Sequence, residues 1–276
     1  MKYVLYNELS NNGNGKASAT ALCEELKENY TLIDVRGLDY VTFLKGLNAD
    51  DEVYLVGGDG TLNYFINAIG DYQPTNNIYL RRAGSGNDFF TDVGAENTVC
   101  INEYIKDLPT VYVNGIEKKF INGIGYGIDG YCCEVADKIR ETSPNKKIDY
   151  TGIAIKGLLF HFKRVTATVT VDGVTTVHKN VWLTPTMKGR YYGGGMMVAP
   201  KQDRKDGQLS VVVFRGKSKL HTLMVFPSIF KGEHVKHEKM VKIFKGKEIE
   251  VSFDKPTALQ IDGETVLGVT SYKVKA

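Results

Sequence analysis

Strand-like and helix-like stretches alternate along the first part of the chain, and this alternation constrains the fold more than any other feature. Lys2–Tyr6, Thr31–Val35, Glu52–Val56 and Asn77–Leu80 are short runs rich in apolar residues, and segments with apolar residues at helical spacing separate them. Such alternation is typical of a parallel sheet covered by helices. It predicts an α/β domain over residues 1–112.

Strand-like runs dominate the rest of the chain, and Asp-Gly pairs that favour tight turns separate several of them. The runs are Lys119–Gly123, Arg164–Val171, Thr175–Thr184, Gln208–Phe214, Glu248–Phe253 and Ala258–Ile261. Helical insertions are predicted at Tyr150–Arg164 and Ser218–Lys231. We therefore expect a mainly antiparallel β-sandwich domain over residues 113–276, with about the last ten residues as a candidate for packing back on the first domain.

The composition is that of a globular protein, with 42% hydrophobic and 24% charged residues in a chain of 276. No run approaches the roughly 18 unbroken apolar residues of a membrane-spanning helix, and Met1–Glu8 turns polar too early for a secretory signal. The four cysteines form no CxxC pair, so we expect reduced thiols. These features favour a cytoplasmic protein in which any contact with membranes is peripheral.

Basic residues are concentrated late in the chain, although the net charge is only +3. Arg215–Lys247 contains nine Lys or Arg and two Glu, which gives this segment a local charge of +7. Such a segment suits an anionic partner, either a nucleic acid or a membrane surface. The alternative, which charge alone favours, is a solvated lysine-rich face.

The first motif with a chemical interpretation is Gly57–Asn63, which reads Gly-Gly-Asp-Gly-Thr-Leu-Asn between a predicted strand and a predicted helix. Glycines let the backbone approach a phosphate, and a helix N-terminus adds free N–H groups and a positive dipole end. Asp59 is a candidate ligand of Mg²⁺, directly or through water. The competing interpretation is an Asp-Gly turn in which Asp59 caps a helix.

A second glycine motif, Arg82–Phe89, also follows a predicted strand. Ligands of doubly wound sheets bind at the carboxyl ends of strands, so the two glycine loops are expected to converge on one nucleotide. One loop would contribute Asp59 and the other Asp88.

Two further motifs lie in the second half of the chain. Ile261–Glu264 contains an Asp-Gly pair, which favours a hairpin turn. If this segment is extended instead, Asp262 and Glu264 share one face, and a carboxylate there could accept a proton from an attacking hydroxyl. Pro200–Leu209 places Asp206 beside a Gly turn, where a structural Mg²⁺ is an option and a plain surface loop is the default interpretation.

These four motifs, in this order and at these distances, resemble the diacylglycerol kinase catalytic-domain family, which includes bacterial soluble lipid kinases. Sphingosine and ceramide kinases are relatives of that family. The resemblance runs over nearly the whole chain and includes Phe120–Asn122 and Gly232–His237. The Gly-Gly-Asp-Gly-Thr motif alone is shared with NAD kinases, whereas the combination is more specific. The resemblance implies an N-terminal nucleotide-binding domain of NAD kinase or diacylglycerol kinase type.

The resemblance also implies roles for individual residues. Glu264 would be the proton acceptor with Asp262 beside it, and Asp59 and Asp88 would belong to the acid and water network around the active Mg²⁺. The residues that would contact the nucleotide are Asn7, Ser10, Asn11, Gly57, Gly58, Asp59, Gly60, Thr61, Leu62, Asn63, Gly84, Ser85 and Asn87. Asp206 would hold a structural Mg²⁺, helped by main-chain oxygens near Asp203 and Gln208.

The chain departs from the family pattern at three places. The first loop, usually Asn-Pro-x-Ser-Gly, reads Asn-Glu-Leu-Ser-Asn at Asn7–Asn11, and Ala83 replaces a frequent Pro. The family commonly has an Asp shortly before the second domain, where this chain has Thr110 and Val111. The missing acid puts the arrangement of the metal in question and is a reason to expect weak activity.

The function implied by the resemblance is an ATP- and Mg²⁺-dependent lipid kinase, with diacylglycerol as the first choice of acceptor and phosphatidic acid as the product. Residues 215–247 would contact the membrane surface that holds the lipid, and a homodimer would fit the family. The alternatives are an NAD kinase-like enzyme and a catalytically silent protein that binds nucleotide or lipid. A nucleic-acid partner ranks last, because no module with aromatic stacking positions is recognisable.

Overall fold

The structure is a computed structural model that describes residues 1–27, 29–84, 86–143 and 148–276, without the side chains of Asn11, Asn12 and Thr151. The chain forms two compact units, Met1–Leu108 and Pro109–Ala276. The second unit therefore begins before the predicted boundary at residues 112–113. The reason is that Thr110–Val113 forms a strand that pairs with the last strand of the second unit.

The N-terminal unit is an α/β domain, as the alternation predicts. Its strands are β1 (Lys2–Tyr6), β2 (Tyr30–Asp34), β3 (Glu52–Gly57), β4 (Asn77–Arg82) and β5 (Thr98–Cys100). Its helices are α1 (Ser10–Gly13), α2 (Gly15–Leu26), α3 (Tyr40–Lys45), α4 (Asp59–Ile69) and α5 (Asp88–Val93). The strand order is β2-β1-β3-β4-β5, with parallel pairing except between β4 and β5.

Apolar periodicity accounts for the packing of this unit. Along α4 the buried apolar residues are Leu62, Phe65, Ile66 and Ile69, which recur at helical spacing and line one face. The helix ends at Gly70, whose φ of 57° favours glycine. The central strand β3 is buried along most of its length, as expected for a strand with helices on both faces of its sheet.

The C-terminal unit is mainly antiparallel β structure, which confirms the predicted fold class. Its strands are β6 (Thr110–Val113), β7 (Ile116–Lys119), β8 (Gly123–Tyr126), β9 (Val165–Val171), β10 (Val174–Leu183), β11 (Thr186–Met187), β12 (Tyr191–Tyr192), β13 (Met196–Met197), β14 (Leu209–Arg215), β15 (Val241–Gly246), β16 (Glu248–Ile261) and β17 (Glu264–Lys275). Its helices are α6 (Ile128–Thr142), α7 (Tyr150–Lys156) and α8 (Lys219–Val225).

The long strand β16 closes the main sheet of this unit on itself. The sheet runs in the order β7-β6-β17-β16-β8-β11-β14-β10-β9, with β15 beside β14. The first half of β16 pairs with β9 and its last residues pair with β8, and its register against β17 shifts between Ser252 and Thr257. The enclosed core includes Tyr126 and Phe253, whose rings stack with centroids 3.7 Å apart.

Several predicted elements of this unit need correction. The run Lys119–Gly123 is not one strand, because residues 120–122 separate β7 from β8. The two predicted strands at Glu248–Phe253 and Ala258–Ile261 are one bent strand. The last ten residues form part of β17, which pairs with β16 and β6 through an alternating pattern that buries Val269, Tyr272 and Val274. They are therefore sheet residues of the second unit. Among the described residues, no helix is both long enough and apolar enough to span a bilayer.

Candidate active site

Three loops of the N-terminal unit leave the same edge of its sheet. The loops follow β1, β3 and β4, which are adjacent parallel strands, so all three begin at the carboxyl edge. In the order β2-β1-β3, the chain reverses its direction of winding between β1 and β3. Ligands of doubly wound sheets bind beside such a switch point. The Asn7–Asn11 and Gly57–Asn63 loops therefore flank the position where a ligand is expected.

The two glycine loops are in backbone contact with each other. The N–H of Ala83 donates to the carbonyl oxygen of Gly57 at 3.0 Å, and the N–H of Asp59 donates to that of Gly86 at 2.9 Å. A methyl group at Gly58 would lie 2.1 Å from the carbonyl oxygen of Gly86. Only glycine at position 58 permits this approach, so the structure brings the two predicted loops together.

Asp59 fastens the second loop to the first. Its Oδ2 accepts the N–H of Asp88 at 2.7 Å and its Oδ1 accepts that of Phe89 at 2.9 Å. These are first-turn donors of α5, which have no acceptor within their own helix. Asp59 is thus a helix cap, as the competing interpretation proposed, but for α5 rather than for α4, which it begins. Asp59 and Asp88 are both buried.

The first loop is a tight turn packed on the start of α2. The carbonyl oxygen of Asn7 accepts the N–H of Ser10 at 3.0 Å and its hydroxyl at 2.7 Å, and Oδ1 of Asn7 accepts the N–H of Leu9 at 2.9 Å. A methyl group at Gly15 would lie 1.9 Å from the Asn7 carbonyl oxygen. The loop itself lacks the glycine of the family pattern, and the close backbone contact is made by Gly15 instead. The side chain of Asn11 lies outside the described residues.

The other predicted nucleotide residues differ in their access to solvent. Gly60 is exposed in the first turn of α4 and Thr61 is half-buried, whereas the side chains of Leu62 and Asn63 are fully buried and pack α4 on the sheet. These two residues therefore hold the loop through packing and do not face solvent. In the second loop, Gly84 has a φ of 90° and its carbonyl oxygen accepts the Asn87 side-chain N–H at 2.9 Å. Ser85 lies outside the described residues.

In the C-terminal unit, Asp262 and Gly263 form the turn between β16 and β17. Their φ values are 45° and 95°, and Ile261 pairs with Glu264 across the turn. Two central residues with positive φ define a type I′ hairpin turn, which Asp-Gly favours. The turn interpretation is therefore confirmed. The alternative, an extended segment with Asp262 and Glu264 on one face, is wrong because Asp262 has left the strand conformation.

Three backbone donors hold the carboxylate of Asp262. Oδ2 accepts the N–H of Ile121 at 2.6 Å, and Oδ1 accepts those of Asn122 and Gly123, each at 2.9 Å. The turn at the tip of the hairpin is thereby fixed to the segment that precedes β8. Glu264, the first residue of β17, is instead exposed and forms an ion pair with Lys118 of β7. Of the two predicted acids, Glu264 is the more exposed.

One half-buried acid near this hairpin, whose Oδ1 is fully enclosed, was not identified from the sequence. Asp129 lies in the first turn of α6, and its Oδ2 accepts the hydroxyl of Tyr192 at 2.8 Å. Burial raises the pKa of Asp129 to about 6, although the hydrogen bond from Tyr192 opposes the shift. The signal available in the sequence is the spacing of Gly125 and Gly127 before Asp129. A methyl group at Gly125 would lie 1.5 Å from its Oδ2, and Gly127 has a φ of 121°.

The residues predicted to hold a structural Mg²⁺ do not fit that role. The side-chain amide of Gln202 donates to the carbonyl oxygens of Asp203 at 2.9 Å and Gln208 at 2.8 Å, the main-chain atoms proposed as ligands. Oδ2 of Asp206 forms an ion pair with Lys245, and its Oδ1 accepts the N–H of Gln208 at 2.9 Å. Burial opposes the shift, but the hydrogen bond from Lys245 lowers the pKa of Asp206.

Nitrogen donors thus satisfy the oxygens that a cation would need at this loop. Within the described residues, no group of three or more His, Cys, Asp or Glu side chains could hold a metal ion. In this structure the amide of Gln202 and the ammonium of Lys245 contact the oxygens that the resemblance assigns to a structural Mg²⁺.

Two family models match the chain in succession. The diacylglycerol kinase catalytic domain matches residues 2–110, and the YegS C-terminal NAD kinase beta sandwich-like domain matches residues 122–275. A protein named diacylglycerol kinase from Mycobacterium tuberculosis is 26% identical over 271 residues, which cover 90% of this chain and 84% of that protein.

Solved structures share the fold. The crystal structure of a diacylglycerol kinase from Bacillus anthracis aligns with a TM-score of 0.63 at 15% identity, over 99% of this chain and 92% of that chain. Yeast NADH kinase complexed with NADH aligns with a TM-score of 0.51 at 8% identity, over 100% of this chain and 80% of that chain. Because both domain models match in order along the chain, it belongs to the diacylglycerol kinase catalytic-domain family.

Proposed function

We propose that the chain is an ATP-dependent lipid kinase that transfers the γ-phosphate of ATP to the hydroxyl of diacylglycerol and forms phosphatidic acid. Membership of the family supports transfer to a lipid. The relative from Mycobacterium tuberculosis that covers most of the chain carries the name diacylglycerol kinase, which favours this acceptor over other lipids.

The observation that carries the proposal is the backbone contact between the two glycine loops beside the switch point. Helix α4 begins at Asp59 directly after β3, so its N-terminus lies at the carboxyl edge of the sheet, beside the contact through Gly58 and Gly86. The first-turn N–H groups of a helix and its dipole favour phosphate groups there. Gly60 is exposed in that turn and has no side chain to obstruct the approach. The loops therefore fit the phosphates of ATP.

Mg²⁺, when bound with ATP, would neutralise charge that develops on the transferred phosphoryl group. The residues that fit its water shell are Asp59 and Asp88, which lie in adjoining loops and meet through the hydrogen bond at 2.7 Å. A carboxylate oxygen has two lone pairs and can accept more than one hydrogen bond. Asp59 would then orient water on one side while it holds α5 on the other.

Glu264 is the proposed acceptor of the proton from the lipid hydroxyl. Its carboxylate is exposed at the tip of the β16–β17 hairpin, and the bonds to Asp262 fix that tip. A general base must be accessible to the hydroxyl that it deprotonates. Glu264 meets this requirement, whereas the carboxylate of Asp262 is already bound by three backbone donors.

The missing acid before the second domain supports one competing function. Val111 is fully buried in β6 and Thr110 is half-buried, so the segment in question is a sheet strand. The loss of that acid is what would be expected of a protein that binds ATP but does not transfer phosphate. This silent protein is the second candidate.

The test is transfer of radiolabelled phosphate from ATP to diacylglycerol, phosphatidylglycerol, sphingosine and ceramide in mixed micelles, with NAD as a soluble control. Label in diacylglycerol is the expected result. Label in a different lipid would support a lipid kinase with another acceptor. Label in NAD alone would contradict both the lipid kinase activity and the choice of diacylglycerol as the acceptor. ATP binding without labelled product would support the silent protein.

Variants of Glu264 test its role as the base. We expect Glu264→Gln to lower the rate of transfer by roughly 10²–10⁴-fold, the usual contribution of a general base, while ATP binding persists. Glu117→Gln is the matched control, since Glu117 is an exposed acid beside Lys118 on β7. Transfer by Glu264→Gln at the rate of this control would remove Glu264 from the mechanism.

A further inference from the structure

Two helical segments of the C-terminal unit expose large apolar side chains. The first segment is α7 with the π-helical turn Gly157–His161, and the second is α8 with the 3₁₀ turn Phe226–Lys231. Phe160 in the first segment is 73% exposed, and Leu220 and Met224 in the second are 68% and 65% exposed. We call these three side chains the apolar docking face. Clustered exposure of this kind marks an interaction site.

The opposite sides of both segments are apolar as well. Leu158, Val225 and Ile229 are buried in a core cluster that also contains Trp182. The segments are therefore held to the unit by their inner sides, and the docking face is not needed for that packing. A helix that is apolar on its inner and outer sides is typical of contact with a second apolar phase.

Polar contacts fix the two segments side by side. Nζ of Lys219 donates to the carbonyl oxygen of Leu159 at 2.5 Å, and the guanidinium of Arg164 donates to the carbonyl oxygen of Gly216 at 3.2 Å. The first bond joins the two segments directly, and the second joins the residues that flank them. Leu220 directly follows Lys219, and Met224 lies one helical turn further along α8. The docking face is therefore one surface built from both segments.

The sequence around the docking face is basic and contains no acid. Residues 150–165 and 207–232 together have seven Lys or Arg and no Asp or Glu. Five of the seven are exposed: Lys219, which bonds to the carbonyl oxygen of Leu159, and Lys156, Lys163, Lys217 and Lys231. Exposed apolar side chains surrounded by lysines complement a phase that is anionic at its surface and apolar beneath it. A bilayer with anionic headgroups has this profile.

We propose that the apolar docking face enters the interfacial layer of an anionic lipid bilayer, with Lys156, Lys163, Lys217 and Lys231 on the headgroups. Docking deepens the proposed function and rests on it, because it would bring the enzyme to the bilayer that holds its acceptor. Helical backbone suits this position, since its N–H and carbonyl groups are paired within the helix.

Cosedimentation of the full chain with vesicles tests the docking without any transfer step. The chain should bind vesicles of phosphatidylcholine mixed with phosphatidylglycerol, and bind phosphatidylcholine alone more weakly. The triple variant Phe160→Ser, Leu220→Ser, Met224→Ser should bind the mixed vesicles at least about tenfold more weakly, since each side chain contributes transfer free energy. The matched control is Val174→Ser with Val177→Ser, on β10, where the side chains are 69% and 61% exposed.

The control variant should bind vesicles as the unchanged chain does. Both variants should have the unfolding temperature of the unchanged chain, because the removed side chains are exposed. Changing Lys156, Lys163, Lys217 and Lys231 to Gln should remove the salt-dependent part of binding and leave the apolar part. Equal binding by the triple variant and the control would overturn the proposal. It would also be overturned if the triple mutation made a dimeric chain monomeric without weakening vesicle binding, because a second copy would then occupy the face.

A short-chain, water-soluble diacylglycerol separates docking from the kinase function. The triple variant should phosphorylate this acceptor at the unchanged rate and lose transfer only to diacylglycerol in vesicles. If the unchanged chain phosphorylates neither acceptor, the proposed function fails. Weakened vesicle binding by the triple variant would support docking in that case as well. If the triple variant lost transfer to both acceptors but bound vesicles as the unchanged chain does, the docking proposal would be contradicted and the proposed kinase function would not.

Discussion

The carboxylate of Asp59 accepts the backbone N–H of Asp88 at 2.7 Å, so the acid of the first glycine loop caps the helix that follows the second. This relationship makes Asp59 a structural residue as well as a proposed participant in catalysis. The N–H of Phe89, bonded to the same carboxylate, adds a second contact between the loops. The two roles can be separated because unfolding measures the helix cap, whereas phosphate transfer also depends on the charge of the carboxylate.

Asp59→Ala should lower the free energy of unfolding by about 2–4 kcal/mol, because two buried N–H groups lose their acceptor. Asp59→Asn keeps one acceptor oxygen but turns its NH₂ group towards the other backbone N–H, so it should cost at least about half of that and should abolish transfer if the charge is needed near Mg²⁺. Chemical denaturation measures the first effect and the radiolabel assay the second. Full transfer by Asp59→Asn would restrict Asp59 to helix capping.

Gly58→Ala should disrupt the contact between the glycine loops, because the added methyl group would lie 2.1 Å from the carbonyl oxygen of Gly86. We expect a lower unfolding temperature and weaker ATP binding, measured by calorimetry. Gly60→Ala is the matched control for stability, since nothing lies within 4 Å of a methyl group there. Alanine is the better helix former by up to about 1 kcal/mol, so Gly60→Ala should not lower the unfolding temperature. Equal unfolding temperatures for the two variants would contradict the close contact at Gly58.

Chelation should leave the stability of the second unit unchanged, because the amide of Gln202 and the ammonium of Lys245 occupy the acceptors of the expected structural Mg²⁺. Unfolding should therefore follow the same curve in EDTA and in excess Mg²⁺ when ATP is absent. Gln202→Ala should lower the free energy of unfolding by about 2–3 kcal/mol, since the buried amide makes hydrogen bonds at both ends. A marked fall of the unfolding temperature in EDTA would show that a bound metal ion stabilises the chain.

Asp129 should make stability depend on pH in the mildly acidic range. Its folded pKa of about 6 lies above the ordinary value of 3.8, so the folded state holds the proton more tightly than the unfolded state does. Stability from this group is fully present below pH about 4 and decreases as pH rises towards about 6, by roughly 2–3 kcal/mol in total. Asp129→Asn should remove this decrease.

The check is the free energy of unfolding of both proteins across this range of pH. Asp137→Asn, on the same helix α6, serves as the control for a change of charge. A pH dependence shared by the unchanged chain and Asp129→Asn would show that another group titrates.

Much of the N-terminal unit could be predicted because its elements have strong periodicity. The burial of Leu62 and Phe65 on one side of α4 follows from their spacing, and the position of the glycine loops follows from the strands before them. The strand β5 was missed because it has three residues and little buried surface. Helix α6 could have been found, since Ile128, Cys132 and Ala136 recur at every fourth position and are buried.

The roles of individual polar groups were less accessible from the sequence. A sequence indicates that Asp262 lies in a turn, but not that its carboxylate binds backbone donors of residues about 140 positions earlier. Likewise, the motif around Asp206 gives no sign that Gln202 supplies both donors for the loop. Such contacts depend on distances between segments that are brought together only by the complete sheet.

The pairing of β6 with β17 also has a consequence for folding during synthesis. Val111, near the start of the second unit, pairs with Val274, so the sheet cannot be completed until almost the whole chain has left the ribosome. The sheet of the first unit uses no residue after Cys100 and can form much earlier. Closing such a long loop is slow and leaves strand edges unpaired in the meantime. We therefore expect the nascent second unit, rather than the first, to be the main client of chaperones.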